Sequence, residues 1–457
     1  MKNRAIIYLA AAATIIILLS CLANYITVPP SWFQLSIFAI GWGLAAWLII
    51  LGTKEVPEHW NLGRQVSSPQ MYASSRGQVD FLLFLRFFAA LLVFLMHSGI
   101  VYKTSFADQL GIYSWLIFSP AWLGMEIFFT LSGYLMGKAF CVGRYKLTPV
   151  GIAEFIDLRV KRLLPLMIFV FVAVHSLASQ ALPLPNLGAL VLFFFNGTYG
   201  GEQGLGAFWS LSTEFQFYMI MPILFGLFHW KITSRRASLA FAIILLILSL
   251  AVRFSFFAAK GMSAWSEDLW HPMYGHLDCF ALGMLANWWI KWCPLSVKKI
   301  SRTWPLVLIA LYLVYAAISF PVMSSGGGPL IPWIEKDIYS GLFVVLGPTT
   351  GAVLTSLLII LIETRPVISN TRDFSDRAKK LNKVLLLAGG ITYPFYLIHS
   401  PLLIWIQSIF PDLSYIPKLT IGFAATTALS TLIYLFVEPL LKKYWKLTLF
   451  RSFSKTS

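Results

Sequence analysis

Apolar residues run along this chain in long blocks, not in the short alternations of a soluble fold. The blocks lie near residues 5–27, 33–53, 82–102, 114–137, 162–182, 208–230, 237–258, 272–293, 304–320, 338–362, 384–408 and 417–440. Each is long enough to cross a hydrocarbon core of roughly 30 Å as a helix, some with tilt. The pattern predicts an all-α fold, a polytopic integral membrane bundle of about twelve spanning helices. Residues 187–199 are apolar but short, and predict a re-entrant segment that leaves the membrane on the side it entered.

Composition agrees with that pattern. Of 457 residues, 58% are hydrophobic and 12% charged, against about 25% charged in soluble domains. The net charge of +16 is therefore read as a topology signal and not as a nucleic-acid-binding surface. With the N-terminus in the cytoplasm, the great majority of the 35 Lys and Arg fall on cytoplasmic segments. The outer side keeps Lys103, Lys260, Lys336 and Lys418, while Arg86 and Arg253 lie inside helices. Both termini are then cytoplasmic. Making 187–199 a full span would carry Lys231, Arg235 and Arg236 to the outer face, which favours the re-entrant reading.

Met1-Lys-Asn-Arg4 followed by an apolar run resembles a secretory signal, but the run continues past Cys21 to Ile26 and a second helix follows, so a retained anchor is expected. Cys21, Cys141, Cys279 and Cys293 form no CxxC pair and predict neither a disulfide framework nor a metal site. The expected organisation is two N-terminal helices with a cytoplasmic linker (1–80), one membrane domain (81–445) and a short basic cytoplasmic tail (446–457).

Polar residues inside apolar spans are costly and mark function. Arg86 and His97 sit eleven residues apart on one predicted helix. At about 100° per residue they share a face, about 16 Å apart along the axis. Ser210, Glu214 and Tyr218 recur every fourth position and form a polar stripe, and Thr392, Tyr396 and His399 line a face of the penultimate helix. Tyr393 adjoins that face, and Pro394 is expected to kink the helix. His399 is expected at a depth similar to His97. Arg159 and Arg162 lie one turn apart where the fifth span meets the cytoplasm. With Arg86 they predict a cationic mouth, since guanidinium groups suit bidentate phosphate binding. Glu126 and Ser132 read as helix-packing residues.

Five ordered segments carry a family resemblance. They are Arg86-x10-His97, Gly124-Met-Glu-Ile-Phe-Phe-Thr-Leu-Ser132-Gly133, Arg159-Val-Lys-Arg162-Leu-Leu-Pro165, Phe208-Trp-Ser-Leu-Ser-Thr-Glu214-Phe-Gln-Phe-Tyr218 and Ile391-Thr-Tyr-Pro-Phe-Tyr396-Leu-Ile-His399. In this order they resemble the signatures of the acyltransferase-3 family, integral-membrane enzymes that O-acylate extracytoplasmic carbohydrates and other acceptors. The likeness covers roughly residues 80–440 and leaves the two N-terminal helices unexplained. Gly275-His276-Leu-Asp278 resembles a family segment that often has Arg in place of His276, and no hydrolase-like segment follows the last helix, so a stand-alone form is expected.

The resemblance implies a multi-pass protein of the bacterial cytoplasmic (inner) membrane. It implies acyl-CoA as cytoplasmic donor, with acetyl-CoA the default form, no metal, and a carbohydrate or glycolipid acceptor such as a cell-surface polysaccharide or lipopolysaccharide. It also makes the Arg86-x10-His97 motif an essential catalytic element, with His97 at the catalytic centre. With residues placed by depth, Arg86, Arg159 and Arg162 are expected to hold CoA phosphates. His97 is expected to act as general base, with Glu214 orienting or polarising His97 or the acceptor. Ser210, Tyr218, Tyr393, Tyr396 and His399 are the expected substrate contacts. The rival from another class is a twelve-helix secondary transporter.

Overall fold

The structure, a computed structural model, describes residues 2–24, 31–54, 80–102, 122–195, 203–261, 263, 265–292, 304–323, 336–364 and 376–445. The linker and tail expected at 55–79 and 446–457, and Cys293, lie outside these residues.

Every apolar block is a helix among the described residues. In chain order they are α1 (Lys2–Asn24), α2 (Trp32–Lys54), α3 (Phe81–Tyr102), α4 (Leu123–Cys141), α5 (Pro149–Leu177), the short α6 (Leu184–Val191), α7 (Trp209–Lys231) and α8 (Arg235–Lys260). They continue with α9 (Leu277–Trp292), α10 (Trp304–Met323), α11 (Lys336–Thr364), α12 (Asp376–Ile409), α13 (Tyr415–Leu432) and α14 (Glu438–Tyr444). A single π turn, Ile433–Val437, joins the last two. Eight of these segments are long and apolar enough to span by themselves. The fold is an all-α polytopic membrane bundle.

Helix boundaries depart from the apolar blocks where capping, not hydropathy, sets the start. The α5 helix begins thirteen residues before its apolar block, because Thr148 accepts a hydrogen bond from the Gly151 N–H and Pro149 occupies the first turn. The α12 helix starts at Asp376, ahead of its apolar block, and runs through Pro394 and Pro401 without a break.

Residues 187–195 do not span. The α6 helix stops after eight residues, and the chain turns at Phe193, whose φ of 56° is left-handed. Two neighbours clamp this turn. From α7, Phe215 stacks on Phe193 at 3.7 Å, Gln216 Nε2 donates to the Phe193 carbonyl at 2.9 Å, and Ser212 Oγ accepts from the Phe195 N–H at 3.1 Å. From α2, Trp42 Nε1 donates to the Leu192 carbonyl at 2.6 Å and Phe38 stacks on Phe194 at 4.2 Å. The second helix, α2, is thus packed against the short re-entrant element, while α1 packs on α2 and α7.

The centre of the bundle is the α4–α9 contact. A Cβ on Gly133 would lie 1.9 Å from the Phe280 carbonyl oxygen, and one on Gly283 would lie 1.9 Å from the Thr130 oxygen. The two backbones therefore meet through small residues, the packing mode available when lipid supplies no hydrophobic drive between helices. The α8 helix shows the converse surface. Ile244, Ile247, Leu248 and Phe254 are exposed, as befits a lipid-facing side, whereas Arg253 is 1% exposed. Its guanidinium donates to Asp278 Oδ1 at 2.5 Å, the Gly275 carbonyl at 2.9 Å, Thr349 Oγ1 at 2.9 Å and the Val345 carbonyl at 3.3 Å. Asp278 also accepts from Thr349 at 2.6 Å. This ionic network ties α8, α9 and α11 together.

Candidate active site

The α3 helix buries Leu85, Ala89, Leu92 and Met96 against its neighbours and carries Arg86 onto the wall of an interior shaft, with His97 about 16 Å further along the helix axis. The shaft is built from α3, α4, α5, α7 and α12. Its inner part is a narrow cavity of about 40 Å³ lined by Arg86, Arg162, Phe128, Glu214, Tyr218 and Tyr396, with Ser210, Thr392 and Tyr393 among the remaining wall residues. A second, wider cavity of about 460 Å³ lies beyond the Arg86 end, lined by Lys161, Tyr434, Glu438 and Lys442. The two share Arg86, Arg162 and Tyr393, so the shaft widens on the cationic side.

Glu214 is fixed on the cavity wall by two hydroxyls. Ser132 Oγ from α4 and Tyr218 OH from the next turn of α7 both donate to Glu214 Oε1. Ser132 is a site residue that sequence reading placed among packing groups, although it stands in one of the five motifs. Higher in the cavity, Ser210 Oγ and Tyr396 OH lie 2.6 Å apart, and Tyr396 donates to the Ala207 carbonyl at 3.0 Å. Tyr393 points the other way and donates to the Leu163 carbonyl at 2.6 Å.

Among the described residues, the end of the cavity at Ser210 and Tyr396 is covered by a turn. The 3₁₀ turn Leu205–Phe208 lies against α12, and Gly204, at φ +75°, comes so near that a Cβ would be 2.7 Å from Pro401 N. Beyond Tyr396, the His399 ring meets His97, with Nε2 3.1 Å from His97 Nδ1. The two histidines share a depth, but neither is on the cavity wall. The histidine that His97 contacts is thus one turn along α12 from a cavity-lining tyrosine.

Of the expected cationic trio, Arg86 and Arg162 face the shaft. Arg159 turns aside, with Nη2 3.4 Å from Tyr145 OH and its guanidinium over the rings of Phe155 and Tyr218 at 5.5 and 5.9 Å. A three-residue step on a helix rotates by about 60°, enough to take one of the pair off the wall. Lys161 and Lys442 occupy the wide mouth instead, each paired to a carboxylate four positions away, Asp157 at 2.5 Å and Glu438 at 2.7 Å. Glu126 is buried away from the shaft, with Oε2 3.3 Å from Tyr315 OH.

The bundle is that of an integral-membrane acyltransferase domain, and the chain belongs to the acyltransferase-3 family. The family's acyltransferase domain matches residues 79–435. O-acetyltransferase OatA of Staphylococcus aureus is 25% identical over 361 residues, 73% of this chain and 54% of the relative. Regulator of hypoxia-inducible factor 1 of Caenorhabditis elegans is 25% identical over 340 residues, 68% of this chain and 65% of the relative. Putative peptidoglycan O-acetyltransferase YrhL of Bacillus subtilis is 32% identical over 150 residues, 29% of this chain and 24% of the relative. The chain spans about half the length of the first of these relatives. No solved structure matches it. The match begins at residue 79, so α1 and α2 are outside it.

Proposed function

We propose that this chain is an O-acetyltransferase of the cytoplasmic membrane, with both termini in the cytoplasm. It moves an acetyl group from cytoplasmic acetyl-CoA to a hydroxyl of an extracytoplasmic carbohydrate or glycolipid. The observation that carries the reading is the shaft, wide and cationic at the Arg86 end, narrow and lined by hydroxyls and Glu214 toward the other. Names of relatives that include O-acetyltransferase support the same reading.

In this reading Arg86 and Arg162 take the CoA phosphates, joined at the mouth by Lys161 and Lys442, because fixed guanidinium groups favour bidentate phosphate contacts. Arg159 backs them, holding the Tyr218 ring from behind. The pantetheine arm runs past Tyr393 and Thr392 and sets the thioester near Ser210, Tyr218 and Tyr396. About 16 Å of helix separates Arg86 from His97, and the arm spans that distance while the nucleotide stays at the mouth. His97 takes the proton of the acceptor hydroxyl as its oxygen attacks the thioester carbonyl. The carbon–sulfur bond then breaks, the acetyl group stays on the acceptor oxygen, and the proton returns to the departing CoA sulfur. Glu214, held by Ser132 and Tyr218, orients the reacting groups.

The test is release of free CoA from acetyl-CoA in proteoliposomes supplied with soluble cell-wall oligosaccharides, followed by mass spectrometry of the acceptor. Acceptor-dependent CoA release that vanishes in a folded His97→Ala variant is expected. Normal transfer by a His97→Ala variant would remove His97 from the chemistry. Movement of the acceptor across the bilayer without CoA release would replace the enzyme reading with a transporter.

A further inference from the structure

His97 and His399 come from helices 302 positions apart in sequence, yet their rings meet at a centroid distance of 4.9 Å with 63° between the planes. The hydrogen bonds around them determine where the protons sit. His399 Nδ1 lies 2.6 Å from the Tyr396 carbonyl oxygen. A carbonyl only accepts, so this nitrogen carries the hydrogen, and in the neutral ring Nε2 holds the lone pair. His97 Nδ1 lies 3.0 Å from the Val93 carbonyl and 3.1 Å from that same His399 Nε2. Both neighbours accept, so His97 carries its hydrogen on Nδ1 as well. The two requirements agree, and they leave the lone pair of His97 on Nε2, the ring nitrogen that makes no hydrogen bond to the described residues.

We infer that His399 is the positioning residue of His97: fixed by the Tyr396 carbonyl, it accepts the Nδ1 proton of His97, locks its tautomer and ring orientation, and so presents Nε2 as the proton acceptor. This rests on the reading of His97 as general base and deepens it, since a base held by a third group is the arrangement that nucleophile activation requires. It moves His399 from the expected substrate contacts to support of the base. Glu214, bonded to Ser132 and Tyr218, has a separate place on the cavity wall. The backbone oxygen of Tyr396 holds His399, while its side chain lines the shaft. One residue therefore couples the base to the acyl pathway.

The decisive comparison is His399→Phe against His399→Gln in the full chain, assayed in proteoliposomes with acetyl-CoA and soluble cell-wall oligosaccharides. Phenylalanine keeps the ring and removes both nitrogens, whereas glutamine keeps an amide oxygen able to accept from His97 and an amide nitrogen able to donate to Tyr396. His399→Phe should lower kcat by about 10²-fold or more, the scale of a mispositioned base, with the KM for acetyl-CoA unchanged. His399→Gln should recover at least about tenfold of that loss.

Wild-type kcat in His399→Phe, or equal losses in both variants, would overturn the inference. A measurement on the unsubstituted chain guards against misfolding of either variant. With ¹⁵N-histidine labelling, the imidazole resonances assigned to His97 by their absence in His97→Ala should report hydrogen on Nδ1, and hydrogen on Nε2 would overturn the inference. If His97→Ala retained activity while the labelled ring still showed Nδ1–H, the base reading would fall and the pairing of the rings would stand.

Discussion

The Arg253–Asp278 pair allows the sharpest test of how this bundle is held. Asp278 is fully buried and accepts from Arg253 Nη2 at 2.5 Å, from Thr349 Oγ1 at 2.6 Å and from the Cys279 N–H at 3.0 Å. Replacing it with alanine removes the countercharge but leaves a guanidinium that is 1% exposed. The remaining acceptors, the carbonyls of Gly275 and Val345 and the Thr349 hydroxyl, are neutral. Breaking a buried ion pair from one side costs about 3–5 kcal/mol, whereas replacing both partners with apolar groups of similar volume is near neutral. Asp278→Ala should therefore lower unfolding free energy by about 3–5 kcal/mol. The double variant Arg253→Met with Asp278→Leu should recover most of the loss. Unfolding in mixed micelles by titrated sodium dodecyl sulfate, followed by tryptophan fluorescence, measures both. A cost below about 1 kcal/mol for Asp278→Ala, or a double variant no more stable than the single, would refute the view that an uncompensated charge dominates there.

Gly283→Val should cost more than the about 1–3 kcal/mol of ordinary overpacking, because the obstacle 1.9 Å away is the Thr130 backbone oxygen and not a side chain; loss of the monodisperse peak in size exclusion reports it. Trp42→Phe should cost about 1–3 kcal/mol, the penalty for leaving the Leu192 carbonyl unpaired, and thermal unfolding in detergent checks it. Burial lowers the pKa of His271, in the connection between α8 and α9, to about 4. Its neutral form is thus favoured by folding, so its contribution is complete above the ordinary value of about 6.5 and is lost as pH falls from there through about 4. His271→Gln should flatten the acid limb of the stability curve in that window, and an unchanged limb would contradict the assignment. Gly204→Val, which props the 3₁₀ turn away from Pro401, should raise CoA release from acetyl-CoA in the absence of acceptor.

What the sequence revealed follows from which constraints are local. Span length is imposed by bilayer thickness, so the apolar blocks mark all the long helices. Hydropathy reports only the lipid-immersed part of a helix, which is why the Thr148–Pro149 start of α5 lay outside its apolar block. Helical spacing correctly grouped Ser210, Glu214 and Tyr218 on one wall and put His399 level with His97. It did not separate Arg162 from Arg159, because a 60° difference decides which of two neighbours faces a narrow shaft. Pairings between distant helices leave no local period. The Ser132–Glu214 contact and the docking of Trp42 on Leu192 became visible only once the helices were packed.

The two ends of the shaft differ in a way that bears on group transfer across a membrane. At the Arg86 end the wall carries Arg86, Lys161, Arg162 and Lys442 beside Glu438, and the two cavities share Arg86, Arg162 and Tyr393. At the other end Ser210, Tyr396 and Ala207 bond to one another beneath the turn that Gly204 seats on α12. In the proposed reading a thioester held in the cavity lies beneath that turn. Water is a competing nucleophile for an activated acyl group, and excluding it strengthens the interactions of fixed dipoles in the site. The proposed chemistry therefore has its donor admitted from one face and its base stationed just past that turn.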